Sequence, residues 1–111
     1  MKEADIQKTI LEYLQWQVPG YFFRQNTGAS VSEYKGKKRF IRYRVAGMSD
    51  ILGIWHDKPQ GIGIFIAIEV KKPGKKATVL QQEFIDKINN FGGRAIVADC
   101  LEDVIEMFKT N

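Results

Sequence analysis

Gly61-Ile62-Gly63-Ile64-Phe65-Ile66-Ala67-Ile68-Glu69-Val70-Lys71-Lys72 is an apolar run that ends abruptly in a carboxylate and an ammonium. Isoleucine fills every second position from Ile62 to Ile68, and the intervening Gly63, Phe65 and Ala67 are also uncharged, so protein can cover both faces of a strand here. The stretch therefore predicts a central strand. Side chains alternate along a strand, which places Glu69 and Lys71 on the face of Phe65 and Ala67 and turns Val70 the other way. Charged groups are costly to bury unless paired or bound to something. Either the strand runs out into solvent and Glu69 and Lys71 form a surface ion pair of little worth, or the two belong to a site.

The neighbouring segments supply the context. Upstream, Ala46-Gly47-Met48-Ser49 reads as a turn, and Asp50-Ile51-Leu52-Gly53-Ile54-Trp55 as a strand that opens with a carboxylate. His56-Asp57-Lys58-Pro59-Gln60-Gly61 makes a hairpin connection, which would set Asp50 and Glu69 on neighbouring strands. His56 is the only histidine, and its polar turn suits a surface role. Downstream, Pro73-Gly74 breaks the chain. A helix follows over about Thr78 to Phe91, with Phe84, Ile85, Ile88 and Phe91 on one side and Gly92-Gly93 as its stop. Thr78 and Gln81 have capping-box spacing, yet Gln81 also lies on the stripe of Phe84 and Ile88, so both a capping and a functional role stay open.

At the amino-terminal end, Glu3 to Trp16 has helical periodicity in Ile6, Ile10, Leu11 and Leu14, ended by Val18-Pro19-Gly20. Glu3 shares that inward stripe, and the alternative is an ordinary first-turn acid favoured by the helix dipole. Tyr21 to Arg24 reads as a short strand, Asn26 to Ser30 as a turn, and Ser32 to Lys38 as a polar segment leading into a strand at Arg39 to Val45. Arg94 to Ala98 is a last buried strand and Leu101 to Lys109 a closing helix. A helix, a run of strands, then helix, strand and helix give an α/β fold with a mixed sheet flanked by helices.

At 111 residues, with 44% hydrophobic and 27% charged residues, the chain reads as one globular domain over residues 1–111, without an internal repeat or linker. Met1-Lys2-Glu3-Ala4-Asp5 lacks the apolar core of a signal peptide and no apolar stretch reaches the length of a membrane span. Cys100, the single cysteine, excludes an internal disulfide and a cysteine-based zinc site. These features lead us to expect a soluble, intracellular, cytoplasmic protein. The net charge of +4 is concentrated in two clusters, Lys35, Lys37, Lys38, Arg39, Arg42 and Arg44, then Lys71, Lys72, Lys75 and Lys76. If both face one ligand, it is a polyanion, nucleic acid above all.

Paired carboxylates beside an ammonium suit a hard divalent cation, which keeps positions for water and phosphate oxygens, and such a cation activates water for phosphodiester hydrolysis. Gly47-Met48-Ser49-Asp50, Glu69-Val70-Lys71, Gln81 three residues ahead of Phe84, and Gly92-Gly93 before a short strand together resemble the VRR-NUC family of PD-(D/E)XK nucleases. With Glu3 on the first helix, the resemblance spans nearly the whole chain. It implies a three-layer, restriction-endonuclease-like α/β fold with a mixed central sheet, and Mg2+- or Mn2+-dependent endonuclease activity on DNA. It further implies Asp50 and Glu69 as metal ligands helped by the Val70 carbonyl, Lys71 as the catalytic lysine, Glu3 completing the acidic site, and Gln81 as a site glutamine.

Ser49 departs from the pattern, since the family has proline before the aspartate. The family's arginine pair has no obvious counterpart, although Arg42 and Arg44 lie in the preceding strand. Stand-alone members resemble Holliday-junction resolvases, so the resemblance implies a homodimer acting on branched DNA; from the two basic clusters, the residues expected to grip it are Lys37, Lys38, Arg39, Arg42, Arg44, Lys72, Lys75 and Lys76. Trp16, Tyr21 and Phe22 are candidates for an interface patch or for the core. Two rival readings stand beside this one, a less selective restriction-like DNase and a non-catalytic nucleic-acid-binding module.

Overall fold

A computed structural model describes residues 2–25, 29–34, 37–42 and 45–109, for 29–34 and 37–42 the backbone alone. The order is α1 (Glu3–Gln17), β1 (Gly20–Arg24), β2 (Ala29–Tyr34), β3 (Lys37–Arg42), β4 (Ile51–Asp57), β5 (Ile62–Val70), α2 (Val79–Asn90), β6 (Arg94–Ala98) and α3 (Leu101–Met107). Four strands form a sheet in the order β1-β4-β5-β6, while β2 and β3 form a separate antiparallel pair. β5 is antiparallel to β4 and parallel to β6. The sheet is therefore mixed, and the isoleucine-rich stretch is an interior strand, as its sequence predicts.

Helices cover both faces, which makes three layers of the kind the restriction-endonuclease-like fold has. Ile6, Ile10 and Leu14 of α1 and Val104 of α3 pack with Phe22, Ile51, Trp55, Ile66, Ile68 and Val70 on one side. On the other, Ile85 of α2 meets Leu52, Ala67 and Ala95, with Met48, Phe84, Ile88 and Val97 around them. The alternation of β5 holds: even positions from Ile64 to Val70 face α1 and α3, odd positions face α2.

Several expectations change. β4 runs on to Asp57, so only Lys58 to Gly61 turn the hairpin, where Gly61 N–H donates to the Asp57 and Lys58 carbonyls. Residues expected as a turn and a polar lead-in form β2, and β3 begins at Lys37 and ends at Arg42. Both pair with each other outside the main sheet. β5 is enclosed only from Ile66 onward, because α2 packs chiefly over β6 and leaves Phe65 partly open. Of the three interface candidates, Phe22 joins the core, where its ring packs edge-on to Phe108, while Trp16 and Tyr21 stand 83% and 70% exposed.

Candidate active site

The site gathers where β4 begins and β5 ends. Ile51 pairs with Ile68 across the hairpin, so the next rung places Asp50 against Glu69. Asp50 Oδ2 accepts the Val70 N–H at 2.8 Å, which extends the ladder by one side-chain bond and fixes the carboxylate at the strand end. A strand residue's N–H and C=O leave on the same edge, so the Val70 carbonyl also looks toward Asp50. Gly47 allows the loop before Asp50 to lie against α2: its φ is +75°, and a Cβ there would run into the Leu80 carbonyl.

Glu69 does not reach solvent. It is only 2% exposed, and the one salt bridge among the described residues is Lys109 with Glu106, so the surface ion pair with Lys71 is not what holds it. Burial pushes the Glu69 carboxyl up to about 8, helped by a hydrogen bond shared with Asp50 and by the charges of Asp50 and Glu3, and opposed by the Lys71 ammonium. Those influences bring Asp50, Glu3 and Lys71 into one neighbourhood around Glu69. Lys71 is half-buried, and its own N–H donates to the Ala98 carbonyl of β6 at 2.9 Å.

Gln81 forms the capping box that its spacing predicts and also reaches Glu69. Its Oε1 accepts from Thr78 N–H at 2.9 Å, its N–H donates to Thr78 Oγ1 at 3.2 Å, and its Nε2 donates to Glu69 Oε2 at 3.2 Å. The capping box was legible in the spacing. The bond across to β5 was not, because it depends on where α2 lies over the sheet.

Among the described residues three buried side-chain oxygens lack a hydrogen-bond partner, Ser49 Oγ, Asp57 Oδ1 and Glu69 Oε1. Two of them fall in or beside the acid pair. A buried acceptor without a donor is costly, and the one on Glu69 belongs to a carboxyl whose proton affinity the Asp50 charge raises. An all-oxygen set of this kind fits a hard divalent cation. A second acidic grouping, Asp99, Cys100 and Asp103, brings its ligand atoms within 4.8 Å at the start of α3. It is exposed or half-exposed, and Asp103 already accepts the Asp99 N–H. The backbone N–H of Asp103 pulls the Cys100 thiol down, but burial and both acids outweigh it and leave the thiol above its usual range, a poor thiolate ligand.

Of the basic residues, Lys72, Lys75 and Lys76 are exposed in the turn that follows the site. The side chains of Lys37, Lys38, Arg39 and Arg42 and the whole of Arg44 lie outside the described residues. His56 is exposed, in line with a surface role.

The family model for the VRR-NUC domain matches residues 1–100, a span that takes in every element carrying a site residue. The chain belongs to the VRR-NUC domain family. No curated protein matches it. As a VRR-NUC domain it has a nuclease-type function, with DNA as the partner that function implies. No helix among its described residues is long and apolar enough to cross a membrane.

Proposed function

We propose that this VRR-NUC protein is a Mg2+- or Mn2+-dependent endodeoxyribonuclease that prefers branched DNA. The observation that carries the reading is Glu69, buried against Asp50 with one oxygen unpartnered and Lys71 nearby. Asp50, Glu69 and the Val70 carbonyl would hold the cation, with Glu3 completing the acidic set. The bound ion would lower the pKa of a water and offset charge developing on the phosphate. Lys71, tethered through its backbone to β6, offers its ammonium to a phosphate oxygen as negative charge grows there. Gln81 keeps the Glu69 carboxylate aimed by donating to Oε2. Lys72, Lys75 and Lys76 would grip phosphates beside the cut, with Lys37, Lys38, Arg39, Arg42 and Arg44 as a second basic surface.

Junction cutting calls for two sites, and an uncovered part of the sheet supports a homodimer. The register sets Tyr21 beside Ile54 and Ile54 beside Phe65, the Tyr21 and Phe23 rings lie 5.6 Å apart, and Phe65 shares a hollow with Phe91. At about 150–250 Å² per aromatic side chain, this half-open strip offers roughly 500 Å² of apolar surface, the core of a standard interface.

The test is cleavage of a labelled four-way junction and the matching duplex, by wild type and Lys71→Ala, in Mg2+, Mn2+ or EDTA. Metal-dependent cutting lost in the variant, with the junction favoured, is expected. Equal cutting of both substrates would make the protein a less selective DNase. Salt-sensitive binding without any cutting would leave a binding module.

A further inference from the structure

We propose that Thr78 is a positioning residue for Glu69, acting through Gln81. The inference rests on the nuclease reading of Glu69 and adds a residue that no part of that reading uses. A capping box takes glutamate or glutamine at its fourth position equally well, since only one side-chain oxygen is needed to accept the N-cap N–H. Here Thr78 N–H occupies Gln81 Oε1. With the oxygen taken, the amide orientation is fixed and Nε2 can only donate, and it donates to Glu69 Oε2. A glutamate would cap α2 as well but would turn an acceptor toward a buried carboxylate. The choice of glutamine is thus explained by Glu69, and Thr78 is what locks it.

The lock has two parts. Thr78 Oγ1 accepts Gln81 N–H and so places the residue at the first turn, while Thr78 N–H orients its amide. Thr78 itself is exposed, and its hydroxyl and N–H bond Gln81. Its effect on Glu69 is therefore indirect. Partners that orient a ligand from behind are worth about 10- to 100-fold in metal affinity or activity.

The experiment compares Thr78→Val, Thr78→Ser and Gln82→Gly. Gln82→Gly weakens α2 at an exposed position by removing a side chain that bonds Asp86, and it keeps the backbone N–H that donates to the Thr78 carbonyl. Two readouts are taken, metal-dependent DNA cleavage and the Gln81 side-chain amide resonances of the metal-free protein by NMR. Thr78→Val keeps the N–H that meets Gln81 Oε1 but removes the hydroxyl that seats Gln81 at the first turn, so it should lower cleavage about 10- to 100-fold and move the Gln81 amide signals toward free-glutamine shifts. Thr78→Ser should restore both to within about twofold of wild type, and Gln82→Gly should lower the melting temperature as much as Thr78→Val while sparing both.

Equal loss of cleavage in Gln82→Gly, or unchanged Gln81 amide signals in Thr78→Val, would reduce Thr78 to an ordinary helix cap and overturn the proposal. If wild type cuts no DNA at all, the nuclease reading fails. The amide signals then still decide whether Thr78 orients Gln81 against Glu69.

Discussion

Glu69 lies beside Asp50 with its carboxyl pushed up to about 8, so in the metal-free protein it keeps a proton that an unfolded chain, near the ordinary 4.5, gives up. A folded-state pKa raised above the unfolded one contributes stability that is full below about pH 4.5 and is lost as pH rises to about 8. In EDTA the melting temperature should therefore fall across that window, by an amount equivalent to a few kcal/mol at most, about 1.4 kcal/mol for each tenfold difference in proton affinity between the folded and unfolded chain. Glu69→Gln should flatten the profile, and an unchanged slope in that variant would sink the assignment. Adding Mg2+ or Mn2+ should restore stability most at the alkaline end, where the carboxylate is free to bind. Asp50→Asn keeps an oxygen for the Val70 N–H, so it should fold as wild type yet lose at least about 100-fold in cleavage.

Among the elements, the loop before β4 is the one whose backbone the site depends on. Gly47 has both a positive φ and a carbonyl of α2 where a Cβ would go, so Gly47→Ala must move the loop that delivers Asp50. A loss of about 1–3 kcal/mol, read as a melting temperature several degrees lower, should come with reduced cleavage, and a variant matching wild type in both would contradict the packing described. The isoleucine alternation, the stripe of α1 and the glycine stop of α2 were legible because each is a local pattern with its own period. β2 was not, since the alternation of Ala29 to Ser32 is short, built on small residues and broken at Glu33. The acid pair was legible through hairpin arithmetic. Gln81 and Thr78 as partners of Glu69 were not, because a helix's cap announces the helix and not the strand it will lie against.

For the molecule as a whole, exposure is decided by which element covers which. Tyr21 and Phe22 are adjacent and both aromatic, yet one is open and the other in the core, since α1 and α3 close one side of β1 and nothing among the described residues closes the other. If that open side meets a second copy, the protein should sediment at twice the 12.7 kDa chain mass. Ile54→Lys with Phe91→Lys should then shift it to the monomer with its circular dichroism unchanged, because both side chains are already more than half exposed. A wild-type monomer at tens of micromolar would remove the dimer.

The turn from Lys58 to Gly61 closes the β4–β5 ladder at the end farthest from the acids. A hairpin with so short a loop zips from its turn, so Asp50 and Glu69 meet only at the final rung. The cost of burying Glu69 beside Asp50 is thus deferred until the rest of the ladder is in place. A cation held by the pair consequently acts after the barrier: it should slow unfolding several-fold while leaving the refolding rate as it was.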